Sequence, residues 1–420
     1  MIPIVNFAES MPPGELCIGN VERQRDGTQH EDVVRPIIGA VRSEGDRALF
    51  HYARELDGLG DSPLRVAEND LAAAEAALSP DFRRAVEVAI SNIRQFACAQ
   101  LPRERFDDFS EGRRLGWIVR PVDAVGCYVP SGRYPLPSTL LMTAVLAQSA
   151  GVPRICITSP KPSTEILGCA HMLGIEEVYR VGGAQAIAAL AFGTQTITRV
   201  DRIVGPGNAY VAAAKKLVAG EVGIDFVAGP TEILILTAHG DPRLIAADML
   251  AQAEHDVTAS ALLFTTSEAL ANAVSVELER QLEILPTAAV ARQSIDHSSM
   301  IAVFPNMEIA VKFSNMYAPE HLSLHDPALL PKITNAGTVF LGPNSPESAG
   351  DYAAGPSHVL PTGGAARLRG GLSAADFVKV IAIQQLSPSA LAKLAPTITA
   401  LARAEGLEAH ARAVEVRSVN

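Results

Sequence analysis

The chain has 420 residues, and its 35 basic and 46 acidic side chains give a formal net charge of −11. An acidic chain without a Lys/Arg run lacks the positive surface that nucleic-acid binding requires, and no apolar stretch approaches the ~18–20 residues of a membrane helix. Because the N-terminus also lacks a basic start followed by an apolar core, the sequence predicts a cytoplasmic protein with neither nucleic acid nor membrane as a partner.

The side chains that would fill the core are mainly aliphatic. Hydrophobic residues make up 48% of the chain and aromatic residues only 5%, which favours α/β packing over an all-β sandwich. The cysteines are odd in number and form no CxxC pair, so we expect them to be buried and unpaired in a reducing compartment. They are Cys17, Cys98, Cys127, Cys156 and Cys169.

Alanine-rich segments with apolar residues at helical spacing predict helices through much of the first hundred residues. From about residue 120, short apolar runs alternate with helical segments, beginning with strands at 124–130 and 154–160 on either side of a helix at 138–151. This alternation predicts βαβ units and a parallel sheet that is covered on both faces. With right-handed crossovers, residues 127–231 would form a compact Rossmann-like domain.

A second α/β series follows. The apolar run EILILTA precedes a helix at 241–256, and further strands and helices alternate as far as GTVFLGP. Residues 343–371 are rich in Gly, Pro, Ser and Ala, which is typical of a long functional loop. The last ~50 residues are Ala-rich and are predicted to be helical.

Scattered N and O donors along the chain would suit a metal ion. Gln252 and His255 are three residues apart and therefore project from one face of a predicted helix. Asp351 and His410 lie far downstream, and together the four side chains form a set that suits Zn²⁺ or Mn²⁺. A Gln/His pair is also common on a solvated helix surface, so the spacing alone does not decide between these interpretations.

Adjacent acid and base groups occur at Glu320 and His321, where a helix gives way to a strand. In a cleft they would supply two proton-transfer groups of different pKa, as an oxidation in several steps requires. The other interpretation is a histidine that interacts with the helix dipole beside a solvated glutamate.

Glycine-rich turns follow three predicted strands, at 130–135, 181–186 and 204–210. Each would let backbone amides at the start of a helix approach a phosphate or ribose, although each is also a common tight connection. The GxGxxG pattern does not occur, so a standard dinucleotide site is not indicated.

Taken together, these segments resemble the histidinol dehydrogenase family. The similarity lies in IVGPGNAYVAAAKKLVAGEVGIDFVAGPTEI, ADMLAQAEHD, NMYAPEHL, GDYAAGPSHVLPTGG and AEGLEAH, and upstream in YVPSGRYPLPSTLLM and VGGAQAIAALAFGT. These motifs are long and in order, and they extend from about residue 120 to the C-terminus.

The resemblance implies an α/β fold of two incomplete Rossmann-like domains with parallel sheets, an N-terminal segment and a helical C-terminal tail. The first domain would be discontinuous in sequence. The expected boundaries are 1–20 for the N-terminal segment, 21–126 with 232–370 for the first domain, 127–231 for the second domain and 371–420 for the tail.

The resemblance also implies the site residues. One Zn²⁺ per subunit would be bound by Gln252, His255, Asp351 and His410, and Glu320 and His321 would transfer protons. The substrate would contact the metal ligands, His321, Thr231, His358 and Glu405. The contacts to NAD⁺ would be Tyr128, Gln185 and Asn208. The family forms a homodimer whose tail reaches the neighbouring site, so Glu405 and His410 would act in trans.

The activity implied is that of an L-histidinol:NAD⁺ oxidoreductase, which makes L-histidine through histidinal in two consecutive oxidations at the end of histidine biosynthesis. A paralogue acting on another alcohol, such as a sulfonated diol, is the nearest alternative, although Glu405 would repel an anionic substrate. A zinc hydrolase would turn over without reducing NAD⁺. A non-catalytic nucleotide-binding regulator is expected to have lost the Glu–His pair or a metal ligand, and this chain retains them all.

Overall fold

The computed structural model describes residues 2–7, 30–110, 112–131, 135–227 and 229–417. Over these residues the chain forms two wholly parallel sheets, a smaller antiparallel sheet and the helices that cover them. The α/β class with parallel sheets and a helical C-terminal tail is therefore confirmed. None of the described helices has the length and apolar character needed to cross a membrane.

Helices account for much of the described chain, and several begin at a side-chain cap. At the start of α9, for example, Asp241 accepts a hydrogen bond from the Arg243 amide, which would otherwise lack a partner in the first turn. The helices are α1 (Glu31–Glu44), α2 (Asp46–Leu56), α3 (Glu68–Ala77), α4 (Pro80–Gln100), α5 (Pro137–Ser149), α6 (Thr164–Met172), α7 (Gly183–Phe192), α8 (Ala209–Val218), α9 (Pro242–Ala253), α10 (Glu268–Leu282), α11 (Ala288–His297), α12 (Met307–Tyr317), α13 (Glu347–Tyr352), α14 (Pro388–Ala404) and α15 (Glu408–Glu415).

The strands are short apart from two nine-residue strands of the antiparallel sheet, which has three strands in the order β14-β3-β2. They are β1 (Ile4–Asn6), β2 (Arg105–Ser110), β3 (Arg113–Pro121), β4 (Ala124–Tyr128), β5 (Arg154–Thr158), β6 (Glu177–Tyr179), β7 (Arg202–Val204), β8 (Gly223–Ile224), β9 (Glu232–Leu236), β10 (Ser260–Thr265), β11 (Met300–Val303), β12 (His321–Leu324), β13 (Thr338–Leu341) and β14 (Val378–Leu386).

The six-stranded sheet has the order β1-β11-β10-β9-β12-β13 and is parallel throughout. Helices α9, α10 and α11 pack on one face, and α12 packs on the other. Strand β9 is buried along its whole length, as expected for a central strand covered on both faces. The parallel pairing of β9 with β12 fixes the relative positions of their first residues, Glu232 and His321, which belong to the candidate site.

The five-stranded sheet has the order β6-β5-β4-β7-β8 and is also parallel. Its faces are covered by α4, α5 and α6 on one side and by α1, α2, α7 and α8 on the other. The helices of residues 31–100 therefore pack with residues 127–231, whereas the sequence-based domains grouped 21–126 with 232–370. The exact domain boundaries stay a prediction.

The C-terminal tail differs in part from the prediction of a helix over the last ~50 residues. Helices α14 and α15 are present, but Val378–Leu386 is a strand that pairs antiparallel with Arg113–Pro121. The alternating apolar residues of VKVIAIQQL fit a strand, and the open edge of β3 supplies its hydrogen-bond partners. The helical prediction is therefore wrong for these nine residues.

The prediction that the cysteines are buried is correct for three of them and wrong for one. Cys127, Cys156 and Cys169 are buried and free, whereas Cys98 is exposed. On α4 the buried stripe includes Ile93 and Ala97, so Cys98, about 100° further round the helix than Ala97, points to solvent. Cys17 lies outside the described residues.

Candidate active site

Most of the predicted site residues lie at or near one edge of each parallel sheet. Thr231, Glu320 and His321 lie at the amino ends of β9 and β12, and β12 pairs in register with β9 through His321 and Ile233. Helix α9 follows β9 and runs back across the sheet, so its last turn returns to the same edge. Tyr128 ends β4 at the carboxyl edge of the five-stranded sheet. The two groups of residues therefore belong to edges of opposite polarity.

Glu320 is a buried carboxyl group with two hydrogen-bond donors. Its Oε2 accepts from Thr231 Oγ1 at 2.6 Å and from the Glu232 amide at 2.8 Å. Only 5% of the residue is exposed, and burial raises its pKa well above the usual range, although both hydrogen bonds act in the opposite direction. The nearby carboxylates of Glu232 and Asp351 raise the pKa further.

His321 is held in a defined tautomer. Its Nδ1 lies 3.1 Å from the Glu232 carbonyl oxygen, which can only accept, so Nδ1 carries the proton. The other ring nitrogen, Nε2, is buried and has no hydrogen-bond partner among the described residues. Burial lowers the pKa of His321 to about 4, which leaves the ring neutral at physiological pH. A neutral imidazole with a free Nε2 is suited to accept a proton.

Three of the four predicted metal ligands lie close together. Gln252 lies in the last turn of α9 and faces Glu347 on α13, and His255 lies just beyond the end of α9 with its Nε2 3.7 Å from Asp351 Oδ2. His255, Asp351 and Glu347 can each present one donor atom within 4.8 Å of the others. Burial pushes the pKa of Asp351 upward, but the surrounding histidines outweigh this effect and hold it below its usual value.

Glu347 was not predicted from the sequence. It lies one helical turn before Asp351, only 2% of it is exposed, and its Oε1 lies 3.7 Å from His321 Nδ1. Burial raises its pKa, and the neighbouring acidic groups add to the effect. Glu347 and Asp351 are four residues apart, a spacing that places two side chains on the same face of a helix. The composition of 343–371 favours a loop, however, and in a loop this spacing does not predict that the side chains are close.

His358 links the two sheets. Its Nδ1 lies 3.0 Å from the Asp351 carbonyl oxygen, and its Nε2 lies 3.4 Å from Thr139 Oγ1 on α5. Burial lowers its pKa. The histidine therefore lies between the acidic group on α13 and the helix that follows β4.

Two of the predicted nucleotide contacts meet at the start of α7. The Tyr128 hydroxyl accepts from the Gly183 amide at 3.2 Å, and Gln185 donates from Nε2 to Asp57 Oδ2 at 2.9 Å. Asp57 also accepts from the Gly182 amide, and burial raises its pKa. Gln185 Oε1 is buried without a hydrogen-bond partner among the described residues. Asp57 was not predicted, since no sequence pattern connects it with the glycine turn.

Asn208, the third predicted nucleotide contact, is exposed and caps α8 by accepting from the Val211 amide at 3.1 Å. The turn before it is fixed by a buried ion pair between Lys215 and Asp225. Lys215 donates to the Gly205 carbonyl oxygen at 3.0 Å, and Asp225 accepts from the Gly205 amide at 2.8 Å. Both polar groups of Gly205 are thus anchored by buried side chains.

Replacing Gly205 with alanine should destabilise the protein more than the same change at Gly220. Both glycines have positive φ, 115° and 102°, a backbone strain that costs an alanine about 1–3 kcal/mol. At Gly205 a Cβ would also lie 2.2 Å from the Tyr128 carbonyl oxygen, whereas at Gly220 it would meet no atom within 4 Å. Urea denaturation of the two variants measures the difference, and equal losses of stability would contradict it.

Glu405 and His410 do not join the cluster within one chain. Glu405 follows α14, His410 lies on α15, and both are exposed. Within the described ranges, no hydrogen bond or ion pair connects either side chain to Gln252, His255 or Asp351. The remaining predicted site residues lie around the two sheet edges described above.

A parallel α/β fold that brings a buried neutral histidine, a buried carboxyl group and a set of metal-type donors together at one edge is typical of an enzyme. Comparison with known proteins agrees with this class and makes it more specific. The chain matches the family model for histidinol dehydrogenase over residues 21–418.

Individual relatives give the same result. The chain is 47% identical to histidinol dehydrogenase from Rhizobium meliloti, over 92% of this chain and 91% of that protein. It is 48% identical to the Thermus thermophilus enzyme, over 92% of this chain and 94% of that protein. The crystal structure of histidinol dehydrogenase from Elizabethkingia anophelis is similar with a TM-score of 0.94 and 36% identity, covering 99% of this chain and 98% of that one. The chain belongs to the histidinol dehydrogenase family, which confirms the resemblance seen in the sequence.

Proposed function

We propose that this chain oxidises L-histidinol to L-histidine through histidinal, in two consecutive NAD⁺-dependent steps at a zinc site. The observation that carries the proposal is the buried His321, which has an unpartnered Nε2 and whose Nδ1 lies 3.7 Å from Glu347, a member of the group formed by His255, Glu347 and Asp351. Family membership supplies the reaction class, and this pocket supplies the groups that the reaction needs.

The residues present fit a divalent cation. Glu232, Glu320, Glu347 and Asp351 bring four carboxyl groups into one buried region, and ionised carboxylates at such distances repel strongly unless a cation or protons compensate. Gln252, His255 and Asp351 would hold Zn²⁺, with His410 as the fourth ligand. Oxygen and nitrogen donors without a thiolate suit Zn²⁺ or Mn²⁺. When bound, the metal would act as a Lewis acid that anchors the amine and imidazole of the substrate.

His321 would act as the general base in each oxidation. The Glu232 carbonyl oxygen fixes the proton on Nδ1, so that Nε2 is the nitrogen that accepts the hydroxyl proton of the substrate. The low pKa keeps this nitrogen unprotonated before the reaction. The buried pocket also excludes bulk water from the reacting groups.

Glu320 would activate the water that hydrates histidinal before the second oxidation. Its carboxylate form is the one that can remove a proton from water, and Thr231 and the Glu232 amide stabilise that form with two hydrogen bonds. Because burial favours the neutral acid, these two donors are needed to make the carboxylate accessible.

When bound, NAD⁺ would supply the hydride acceptor for each oxidation. Tyr128, Gln185 and Asn208 would contact it along the carboxyl edge of the five-stranded sheet, where helix N-termini and glycine turns present backbone amides. Gln185 offers its Oε1 as an acceptor, since its Nε2 already donates to Asp57.

The protein would work as a homodimer in which Glu405 and His410 complete the neighbouring site. Glu405 would accept a hydrogen bond from the imidazole of the substrate, and His358 and Thr231 would also line the pocket. In support, the tail leaves several large apolar side chains more than two-fifths exposed, as expected for a surface that meets a partner: Val380, Ile381, Leu401, Leu407 and Val416. The cytoplasmic location stays a prediction from the sequence.

The test is NADH formation by the purified, zinc-loaded protein with L-histidinol. We expect about two NADH for each histidinol consumed, and loss of the activity after chelation. A sulfonated diol serves as the control substrate and should give no NADH. If the diol were oxidised and histidinol were not, the substrate assignment would be wrong and the alternative of a paralogue would stand.

A further inference from the structure

The side-chain amide of Gln252 fits its pocket in two orientations related by a half-turn. In the first, Nε2 donates to Thr231 Oγ1 at 2.9 Å, and Oε1 faces the carboxylate of Glu347. In the second, Nε2 donates to the two Glu347 oxygens at 2.5 and 3.0 Å, and Oε1 accepts from Thr231 Oγ1 at 2.9 Å and from the Glu232 amide at 3.3 Å. The first orientation places two oxygens together and therefore requires a cation or a proton near them. The second satisfies the amide without a cation.

Thr231 responds differently to each orientation because its hydroxyl has a single proton. In the first orientation Thr231 accepts from Gln252 and is free to donate to Glu320 Oε2, 2.6 Å away. In the second orientation its proton is used on Gln252 Oε1. The contact with Glu320 then persists only if Glu320 carries a proton and donates it to Thr231. The direction of the hydrogen bond between Gln252 and Thr231 therefore determines which protonation state of Glu320 is compatible with its hydrogen bond to Thr231.

We propose that Gln252, Thr231 and Glu320 form a hydrogen-bond relay through which a cation held by Gln252 Oε1 determines whether Glu320 carries a proton. Cation binding selects the first orientation, Thr231 then donates to Glu320, and the proton of Glu320 is released to solvent. Without the cation, Gln252 turns to Glu347 and Glu320 stays neutral. Thr231 is thus a positioning residue that couples metal occupancy to the charge of Glu320.

The surroundings of Glu320 are consistent with such a switch. Besides Thr231, the only other donor to its Oε2 among the described residues is the Glu232 amide, at 2.8 Å. The charged or titratable groups that face Glu320 are the carboxyl groups of Glu232, Asp351 and Glu347 and the neutral ring of His321, and the negative charge of each carboxylate favours the protonated acid. Glu320 therefore has no cationic partner in the described part of the chain, and the gain or loss of the Thr231 hydroxyl as a donor acts directly on the stability of its carboxylate form.

The relay rests on the proposal that Gln252 binds the metal, and proton release on metal binding tests it. Calorimetric titration with Zn²⁺ in two neutral buffers of different ionisation enthalpy gives the number of protons released. We compare the full-length wild type with Thr231→Ser, which keeps the hydroxyl, and with Thr231→Val, which replaces it by a methyl group of similar size. Glu320→Gln removes the proton in question.

We expect Thr231→Ser to release as many protons as the wild type, and Thr231→Val and Glu320→Gln to release about one fewer each. Thr231→Val should also bind Zn²⁺ roughly 10- to 100-fold more weakly, since Gln252 loses the partner that orients it. Glu320→Gln gives an independent answer if Thr231→Val does not fold. Equal proton release by the wild type and Glu320→Gln would overturn the relay while leaving the metal site intact. Failure of the wild type to bind Zn²⁺ would overturn the metal site itself.

Discussion

Replacing His321 with asparagine should lower kcat by about 10²- to 10⁴-fold, the usual contribution of a general base. Asparagine can place an amide NH where Nδ1 now donates to the Glu232 carbonyl oxygen, so the local hydrogen bond is retained. It cannot replace Nε2, the buried nitrogen that has no partner among the described residues. The loss is therefore expected in turnover rather than in folding, and steady-state kinetics with L-histidinol measures it.

His325→Asn is the matched control, because His325 directly follows the strand that begins at His321. It should turn over within a few-fold of the wild type. Retention of more than about a tenth of the activity by His321→Asn would remove the residue from the role of base.

The same variant should change the pH dependence of folding. Burial lowers the pKa of His321 to about 4 from an unfolded value near 6.5. Between these values the unfolded chain binds a proton that the folded chain does not, so His321 makes the fold less stable as the pH falls. Urea denaturation at about pH 7 and about pH 5 should show a smaller loss of stability for His321→Asn than for the wild type.

Mixed dimers should show whether the tail acts in trans. His321→Asn and His410→Ala are each expected to be nearly inactive alone. If His410 completes the partner's site, a heterodimer of the two variants contains one site with both defects and one with neither. Such a heterodimer should regain about half of the wild-type activity, because a two-fold dimer has two equivalent sites.

If His410 instead serves its own subunit, every site of the heterodimer carries one defect and activity stays near zero. Differently tagged subunits, refolded together and purified by both tags, provide the sample. Each variant taken through the same refolding alone is the control, since it must remain inactive for recovery in the mixture to be meaningful.

The sequence was a good guide to the parallel sheets. Strands such as Ala124–Tyr128 and Glu232–Leu236 are short, fully buried apolar runs, and their periodicity and the helices between them suffice to predict parallel βαβ units. Val378–Leu386 was misjudged because its half-exposed residues gain their strand structure from pairing with Arg113–Pro121, more than 250 residues earlier. Local patterns contain no information about such a distant partner.

The site residues likewise fall into those that sequence spacing suggests and those that only the fold reveals. Gln252 and His255 are three residues apart, and Glu320 and His321 are adjacent in sequence, so spacing alone could suggest these groups. The predicted helix over 241–256 is too long, however, because α9 ends at Ala253 and His255 lies beyond it. Asp57 and Glu347 could not be singled out, because their importance comes from the burial and partners that the fold provides. The assignment of individual roles came from family resemblance, and the structure adds which atoms are free to react.

The antiparallel sheet also places a constraint on the order of biosynthesis. Its strand β3 is synthesised first, and β14, which covers one of the edges of β3 over nine residues, follows more than 250 residues later. Until then the β3 edge presents unpaired amides and carbonyls, which other chains could use for aggregation. Completion of this sheet must therefore wait until the residues of β14 have been translated.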